Sequence, residues 1–334
     1  MTMGRRRKHR KDLPERVYFH HGSYFFVGHD GKWTNLGRDF VKAMTRYATL
    51  NAASGSQSMN GVIDSFISSV LPKKAPKTQR EYLQQLKRLR PVFGHMRPDA
   101  VTPQNIYGYM DLRPPVSANR ERSLLSQLFK LAIRKGFCAD NPCKEVECNE
   151  ETPRDRYVED AEFDAVYKIA PASVQCAMDI AVRTGLRISD ILGLQLQDVQ
   201  KDGLYRRTSK TKKWMIYEMI PELRKIIKRA RALGTDARGN VRSFALICNN
   251  QGQPYTLDGF STIWQRVMNK AIEDKLIKER FTFHDLRAKA GSESDNAQDL
   301  LGHDDPRTTN RVYRRLPRRV TPVSKNKQKT KKKP

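Results

Sequence analysis

The first fifty residues show two successive patterns of apolar and polar positions. Short β-forming runs alternate with turn residues, and Asp30-Gly31 between two such runs is a typical hairpin signal. From Phe40 to Leu50 the apolar residues recur every three or four positions, which is the spacing of an amphipathic helix. We therefore expect a small unit of three strands and one helix, with the strands at residues 17–19, 23–27 and 32–36.

The helical period dominates most of the remaining chain. Residues 51–60 have the composition of a linker, and apolar stripes at helical spacing follow over residues 60–142. Within this region Thr102-Pro103 has the form of a helix start, because a Thr N-cap precedes a Pro at the first helical position. Residues 144–160 are acidic and polar and indicate a second linker. Further helices are predicted at residues 160–169, 172–184, 188–194, 258–273 and from Asp285 onward.

One interruption of the helical pattern predicts a β-hairpin. Residues 204–208 and 214–220 are β-forming, and the turn between them is rich in lysine. Residues 244–248 form a short apolar run that we expect to be buried. The predicted fold class is mainly α with small β elements (α+β). It comprises an N-terminal three-stranded sheet plus helix, a helical middle domain, and a mixed helical last domain with a β-hairpin.

These patterns divide the 334 residues into segments. The length is enough for about two domains at ~150 residues each, so each part can bury a core of its own. We place the boundaries at residues 1–55, 56–148, a linker at 149–160, 161–320, and a basic tail at 321–334.

The chain is strongly basic, with a formal net charge of +27. Residues 5–11 hold six basic residues and no acidic one, residues 314–334 hold ten and none, and the rest of the chain is still basic. This excess indicates a polyanionic partner such as nucleic acid, and it argues against a neutral metabolic enzyme. The candidate DNA contacts in the N-terminal arm are Arg5, Arg6, Arg7, Lys8, Arg10 and Lys11.

Composition also argues against a membrane protein and a metalloprotein. No run of ~18 apolar residues is present, and no apolar stretch follows the basic N-terminus as in a secretory signal. An odd number of cysteines, five, fits reduced thiols in a cytoplasm. Three of them, Cys138, Cys143 and Cys148, are spaced too widely for a zinc knuckle, so no metal site is expected.

Two motifs in the last domain could bind phosphate. Arg187 follows the turn residue Gly185 at a predicted helix start, where a guanidinium and a helix N-terminus both suit a phosphate. Taken alone, an Arg near Asp190 is more often a local ion pair. His284 and Arg287 are three residues apart and therefore share a helix face, although a surface pair would have the same spacing.

Two further motifs lie nearer the C-terminus. His303 follows Leu-Gly at a predicted helix end, where a histidine is often only a cap. Tyr313 lies ten residues later, is flanked by three arginines, and has no tyrosine between it and Tyr255. A lone tyrosine usually belongs to a core or an interface.

In this order, Arg…Lys…His-x-x-Arg…Leu-Gly-His…Tyr, the motifs resemble the tyrosine recombinase family, and specifically lambda-type phage integrases. The resemblance covers nearly the whole chain. It implies an arm-type DNA-binding domain at residues 1–55, a helical core-binding domain at 56–148, and a catalytic domain at 161–320. The catalytic positions it assigns are Arg187, Lys210, His284, Arg287, His303 and Tyr313, with Asp190 in support; Lys212 and Lys213 are alternatives for the lysine.

The resemblance also implies a mechanism. Tyr313 would attack a DNA phosphate to give a 3′-phosphotyrosine and a free 5′-hydroxyl, with His284 accepting the tyrosine proton. The two arginines and His303 would bind the phosphate oxygens, and Lys210 would protonate the leaving oxygen. No cofactor is expected, because the sequence offers no P-loop and no acidic metal cluster.

The partners implied are double-stranded DNA with core-type and arm-type attachment sites, and three further copies of the chain in a tetramer on DNA. Accessory DNA-bending proteins and an excisionase are further expected partners, in the cytoplasm of a bacterial host. The interval from Arg287 to His303 is shorter than is common in the family by roughly two helical turns. The interval from His303 to Tyr313 is slightly longer.

Three other functions fit parts of the sequence. A type IB topoisomerase-like enzyme would share the tyrosine chemistry, but the N-terminal unit argues against it. A catalytically inactive DNA-binding regulator of the same fold would keep the charge without needing all six residues in order. An RNA-binding or ribosomal protein would explain the charge and none of the motifs.

Overall fold

The computed structural model describes residues 13–14, 16–28, 31–52, 57–152 and 154–316. They fall into two compact units, with the division after Thr152. The basic arm at residues 5–11 and the tail at 321–334 lie outside the described residues, and so does Asp30 of the predicted hairpin turn. The predicted boundary between residues 55 and 56 also lies outside the described residues.

The first unit begins with the predicted antiparallel sheet, whose strands run in the order β1 (Val17–His20), β2 (Ser23–Val27) and β3 (Trp33–Gly37). His21 and Gly22 join β1 to β2, and both have positive φ angles, 45° and 73°. This is the geometry of a two-residue hairpin loop whose twist matches the strands.

Five α-helices complete the described part of the first unit. The predicted start at Thr102 is confirmed, since Thr102 and Asn105 cap each other through reciprocal side-chain-to-backbone hydrogen bonds. A single hydrophobic core runs from Leu13 to Val146 and joins the sheet to the helices. The helices are α1 (Phe40–Ala52), α2 (Met59–Ser69), α3 (Pro76–Phe93), α4 (Pro103–Asp111) and α5 (Pro115–Arg134).

The second unit has a core of its own, built from helices around one β-hairpin. The hairpin pairs β4 (Gly203–Arg207) with β5 (Trp214–Glu218), as predicted. Its helices are α6 (Asp160–Ile169), α7 (Ala172–Thr184), α8 (Ile188–Leu192), α9 (Pro221–Leu233), α10 (Leu257–Glu273), α11 (Phe283–Glu293), α12 (Ala297–Leu301) and α13 (Pro306–Thr308), and a π-helical turn, Thr309–Tyr313, follows α13.

Two sequence predictions in this unit were wrong in part. The helix predicted at residues 188–194 ends at Leu192, because the chain turns at Gly193, whose carbonyl accepts a hydrogen bond from Arg206. The run at residues 244–248 is buried at Leu246 to Cys248, but Phe244 is 78% exposed. None of the helices in the described ranges is long and apolar enough to cross a membrane.

Candidate active site

Helix α11 carries two of the predicted site residues and begins with a strong cap. Thr282 and Asp285 form a reciprocal capping box, in which the Asp285 carboxylate accepts from both the backbone N and the hydroxyl of Thr282. This start places His284 in the first turn and Arg287 one turn later on the same face. The pairing predicted from their spacing is therefore present.

Two glycines with positive φ let other elements approach α11. Gly185 ends α7 with φ of 62°, and a Cβ there would lie 2.6 Å from a Leu301 methyl carbon. Gly302 ends α12 with φ of 61°, and a Cβ there would meet the Met215 sulfur at 3.0 Å. Only glycine fits both the backbone conformation and the space, so α7, α12 and the hairpin can converge here.

Arg287 lies at the centre of this convergence and is 2% exposed. Its guanidinium donates hydrogen bonds to the carbonyl oxygens of Gly185 and Leu301, and it lies 5.2 Å from the centre of the Tyr313 ring. Its Nε is buried and has no hydrogen-bond partner within the described residues. One N–H of this buried cation is thus left without an acceptor among the described residues.

The tautomer of His303 follows from its two contacts. Arg287 Nη2 lies 3.1 Å from His303 Nε2, and an arginine can only donate, so Nε2 accepts. His303 Nδ1 then carries the proton and donates it to the Thr309 hydroxyl at 2.8 Å. Burial and the positive charges of Arg287, Arg187 and Lys210 lower the pKa of His303 to about 4. His303 is therefore neutral at pH 7.

Tyr313 lies against both histidines. Its hydroxyl is 3.0 Å from His284 Nε2, and its ring centre is 4.9 Å from that of His303. Burial, together with the charges of Arg287, Arg187 and Arg315, lowers the pKa of His284 below its usual value, so its ring is neutral at pH 7 and can take up a proton.

Arg187 and Lys210 complete the positive charge around the tyrosine. Within the described part of the chain neither side chain forms a hydrogen bond or an ion pair, although the charges of both lower the pKa of His303. Of the alternative lysines, Lys213 is paired with Asp304, whereas the side chain of Lys212, like that of Lys210, has no partner among the described residues. Two unpaired cations beside a neutral histidine pair form a site for an anion.

Asp190 ties the hairpin turn to the helix that carries Arg187. It is fully buried, and its carboxylate accepts a hydrogen bond of 2.6 Å from the backbone N of Ser209, the neighbour of Lys210. Helix α8 and the lysine turn are thereby held together. The structure thus brings all seven predicted residues of the last domain to one place, whereas the predicted DNA contacts of the arm lie outside the described residues.

Sequence reasoning missed two residues of this site. Thr309 accepts the hydrogen bond from His303 Nδ1, and nothing in its sequence position distinguishes it from the preceding Thr308. Asp285 joins the capping box, and Thr-x-x-Asp before a helix was a usable signal for that role. The described residues contain no group of three or more His, Cys, Asp or Glu side chains placed to hold a metal ion.

The lowered pKa of His303 predicts how stability depends on pH. The folded protein protonates His303 less readily than the unfolded chain, whose value is near 6.5. The stability linked to neutral His303 is therefore fully present above about pH 6.5 and is lost as the pH falls towards about 4. Without DNA, the melting temperature of His303→Asn should fall less between pH 7 and pH 4.5 than the melting temperature of the wild-type protein. Equal losses would contradict this assignment.

Known proteins resemble this chain in sequence and in fold. Residues 158–318 match the Phage integrase family. The integrases of Enterobacteria phage 434 and Escherichia phage lambda are each 29% identical over 238 residues, which are 63% of this chain and 66% of the relative. The matched part therefore spans just under two thirds of those integrases. Tyrosine recombinase XerD of Yersinia pestis is 24% identical over 280 residues, 76% of this chain and 92% of its own.

Two solved structures have the same fold. A lambda integrase dimer bound to a COC′ core site matches with a TM-score of 0.66 and 22% identity, over 96% of this chain and 100% of that one. A lambda integrase tetramer bound to a Holliday junction matches with a TM-score of 0.63 and 23% identity, over 88% and 97%. Residues 158–318 match the Phage integrase family and the α+β fold is shared with these structures, so the chain is similar to phage integrases and other tyrosine recombinases in both sequence and fold.

Proposed function

We propose that this chain is a site-specific DNA recombinase that cuts and rejoins DNA through a 3′-phosphotyrosine, and so integrates or excises a mobile element. The observation that carries this proposal is the position of Tyr313. Its hydroxyl lies 3.0 Å from the neutral His284 and its ring lies against Arg287, while the charges of Arg187 and Lys210, which have no partner among the described residues, act on the neighbouring His303. A phosphate entering among these cations meets a nucleophile, a base and an acid together.

In the proposed cleavage step the Tyr313 oxygen forms a bond to phosphorus, and the bond from phosphorus to the 5′-oxygen breaks. Tyr313 gives its proton to His284 Nε2, and Lys210 gives a proton to the leaving 5′-oxygen. Arg187 and Arg287 hold the nonbridging oxygens as negative charge develops on them. A second 5′-hydroxyl then attacks the phosphotyrosine, reverses the step and joins the exchanged strands.

His303 has to change its hydrogen bonding for this step. In the DNA-free protein its Nε2 accepts from Arg287, so it cannot donate to a phosphate. A bound phosphate that takes over the Arg287 N–H leaves Nε2 free, and its negative charge raises the affinity of His303 for a proton. We therefore expect His303 to take up a proton when DNA binds, and then to donate to a phosphate oxygen.

The partners proposed follow from the relatives. Solved lambda integrase structures hold DNA as a dimer on a core site and as a tetramer on a Holliday junction. We propose that this chain likewise acts as a tetramer on two duplexes with core-type and arm-type sites, in the cytoplasm of a bacterial host. The arm residues Arg5, Arg6, Arg7, Lys8, Arg10 and Lys11 would contact the arm-type sites. Accessory DNA-bending proteins and an excisionase would set the direction of recombination.

The proposal is tested by covalent trapping on a nicked duplex that carries a core-type site bound by the protein. Without divalent metal, and with EDTA present, the wild-type protein should form a complex with DNA that survives denaturation. The absence of such a complex, despite binding to the site, would indicate a DNA-binding regulator. Relaxation of supercoiled DNA by single protomers without strand exchange would instead indicate a topoisomerase.

A further inference from the structure

The backbone after Tyr313 is fixed to the second half of α11. Ser292 Oγ donates a hydrogen bond of 2.8 Å to the Tyr313 carbonyl and accepts one of 2.8 Å from the backbone N of Arg315. A Cβ at Gly291 would lie 3.3 Å from Tyr313 Cβ, so helix and tyrosine are in close contact. Tyr313 is thus held from its carbonyl side by the same helix that carries His284.

Arg315 extends this connection back to the start of α11. Its side chain is 4% exposed, and its Nη1 donates to an Asp285 carboxylate oxygen at 2.6 Å and to the Arg156 carbonyl at 2.8 Å. Its Nε donates to the Val312 carbonyl at 3.2 Å. An arginine so buried, with a carboxylate and two carbonyls as acceptors, holds the segment around Tyr313 in one geometry.

The two carboxylate oxygens of Asp285 accept hydrogen bonds from different parts of the chain, the start of α11 and the segment after Tyr313. One oxygen caps α11 through Thr282 and accepts from Arg154, and the other accepts from Arg315. Burial opposes ionisation, but the hydrogen bonds from Arg315 and Thr282 hold the pKa of Asp285 below its ordinary value. A single charged carboxylate, adjacent in sequence to His284, therefore orders both the helix start and the chain beyond Tyr313.

We propose that Arg315 and Asp285 are positioning residues that set the contact between the Tyr313 hydroxyl and His284. Neither side chain touches the reacting atoms in this structure. Asp285 is adjacent in sequence to His284, the proposed base, and Arg315 is bonded to the segment that carries Tyr313, the proposed nucleophile. The ion pair therefore connects the base to the nucleophile. The proposal rests on the proposed recombinase function and adds to it a pair that aligns the nucleophile.

The test measures the rate of covalent complex formation in a single turnover at saturating nicked DNA, together with the affinity for that DNA. Arg315→Ala should form the complex roughly 100-fold more slowly, because misplacement by about 1 Å costs that much. DNA affinity should stay within about twofold. Arg315→Lys should recover part of the rate, since an ammonium can still reach one acceptor. Ser292→Ala should slow the step without touching the ion pair.

Arg154→Ala is the matched control, because it removes the other arginine on the same carboxylate but no contact with the Tyr313 segment. It should cleave at the wild-type rate. Wild-type cleavage rates in Arg315→Ala and Ser292→Ala would overturn the proposal, even if both proteins melted at lower temperature. An equal loss of rate in Arg154→Ala would overturn it too, by showing a general effect of the charge. If the wild-type protein forms no complex, the proposed function itself has failed.

Discussion

Tyr313→Phe is expected to abolish the covalent complex with DNA while leaving DNA affinity within about twofold. The change removes one oxygen, the atom that lies 3.0 Å from His284 Nε2. The ring keeps its contacts with Arg287 and His303, so the packing of the site is retained. Without the attacking oxygen no phosphotyrosine can form, however well the DNA binds. We therefore expect no detectable covalent complex.

The matched control for this variant is Tyr255→Phe. Tyr255 bonds to Ser173, belongs to the same unit, and has no contact with the site residues. It should cleave nicked DNA at the wild-type rate. Both variants are compared by denaturing gel after incubation with the same duplex. A complex that persists in Tyr313→Phe would show that another residue attacks the phosphate.

The two arginines should respond alike in activity and differently in stability. Arg187→Ala and Arg287→Ala should each lower the cleavage rate by about 100-fold to 1000-fold, the usual cost of one lost donor to a developing oxyanion. Arg187 has no partner among the described residues, so its loss should leave the melting temperature unchanged. Arg287→Ala leaves the Gly185 and Leu301 carbonyls without a donor, at a cost on the order of 2 kcal/mol.

Thermal unfolding and single-turnover cleavage of the two variants separate these effects. The cleavage assay is run well below the melting temperature of Arg287→Ala, so that both proteins are folded. A large loss of stability in Arg187→Ala would contradict the assignment of Arg187 as a phosphate-binding residue that has no partner among the described residues. Wild-type cleavage in either variant would contradict the assignment of the phosphate clamp.

Features that depend on local sequence were predicted well. The three strands follow from alternation and glycine turns, and the helix at Thr102-Pro103 follows from its cap. The spacing of His284 and Arg287 places both on one helix face, and α11 has that face. Such features are determined by residues that are only a few positions apart in the sequence.

Features that depend on distant contacts could not be predicted. The tautomer of His303 is set by its contact with Arg287 on another helix, which the Leu-Gly-His motif does not reveal. Arg315 reads in the sequence as part of a basic tail, yet it is buried against Asp285, thirty residues earlier. Phe244 is exposed whereas Leu246 to Cys248 of the same apolar run are buried, and a short apolar run does not show which of its residues face the core.

The most direct test of this account is to identify the residue bound to DNA. The trapped complex is digested with nuclease and protease, and mass spectrometry locates the peptide that carries the remaining nucleotide. We predict that the nucleotide is attached through a 3′-phosphate to Tyr313. Attachment to any other residue, or a wild-type protein that binds its site and never becomes linked to it, would contradict the proposed recombinase chemistry.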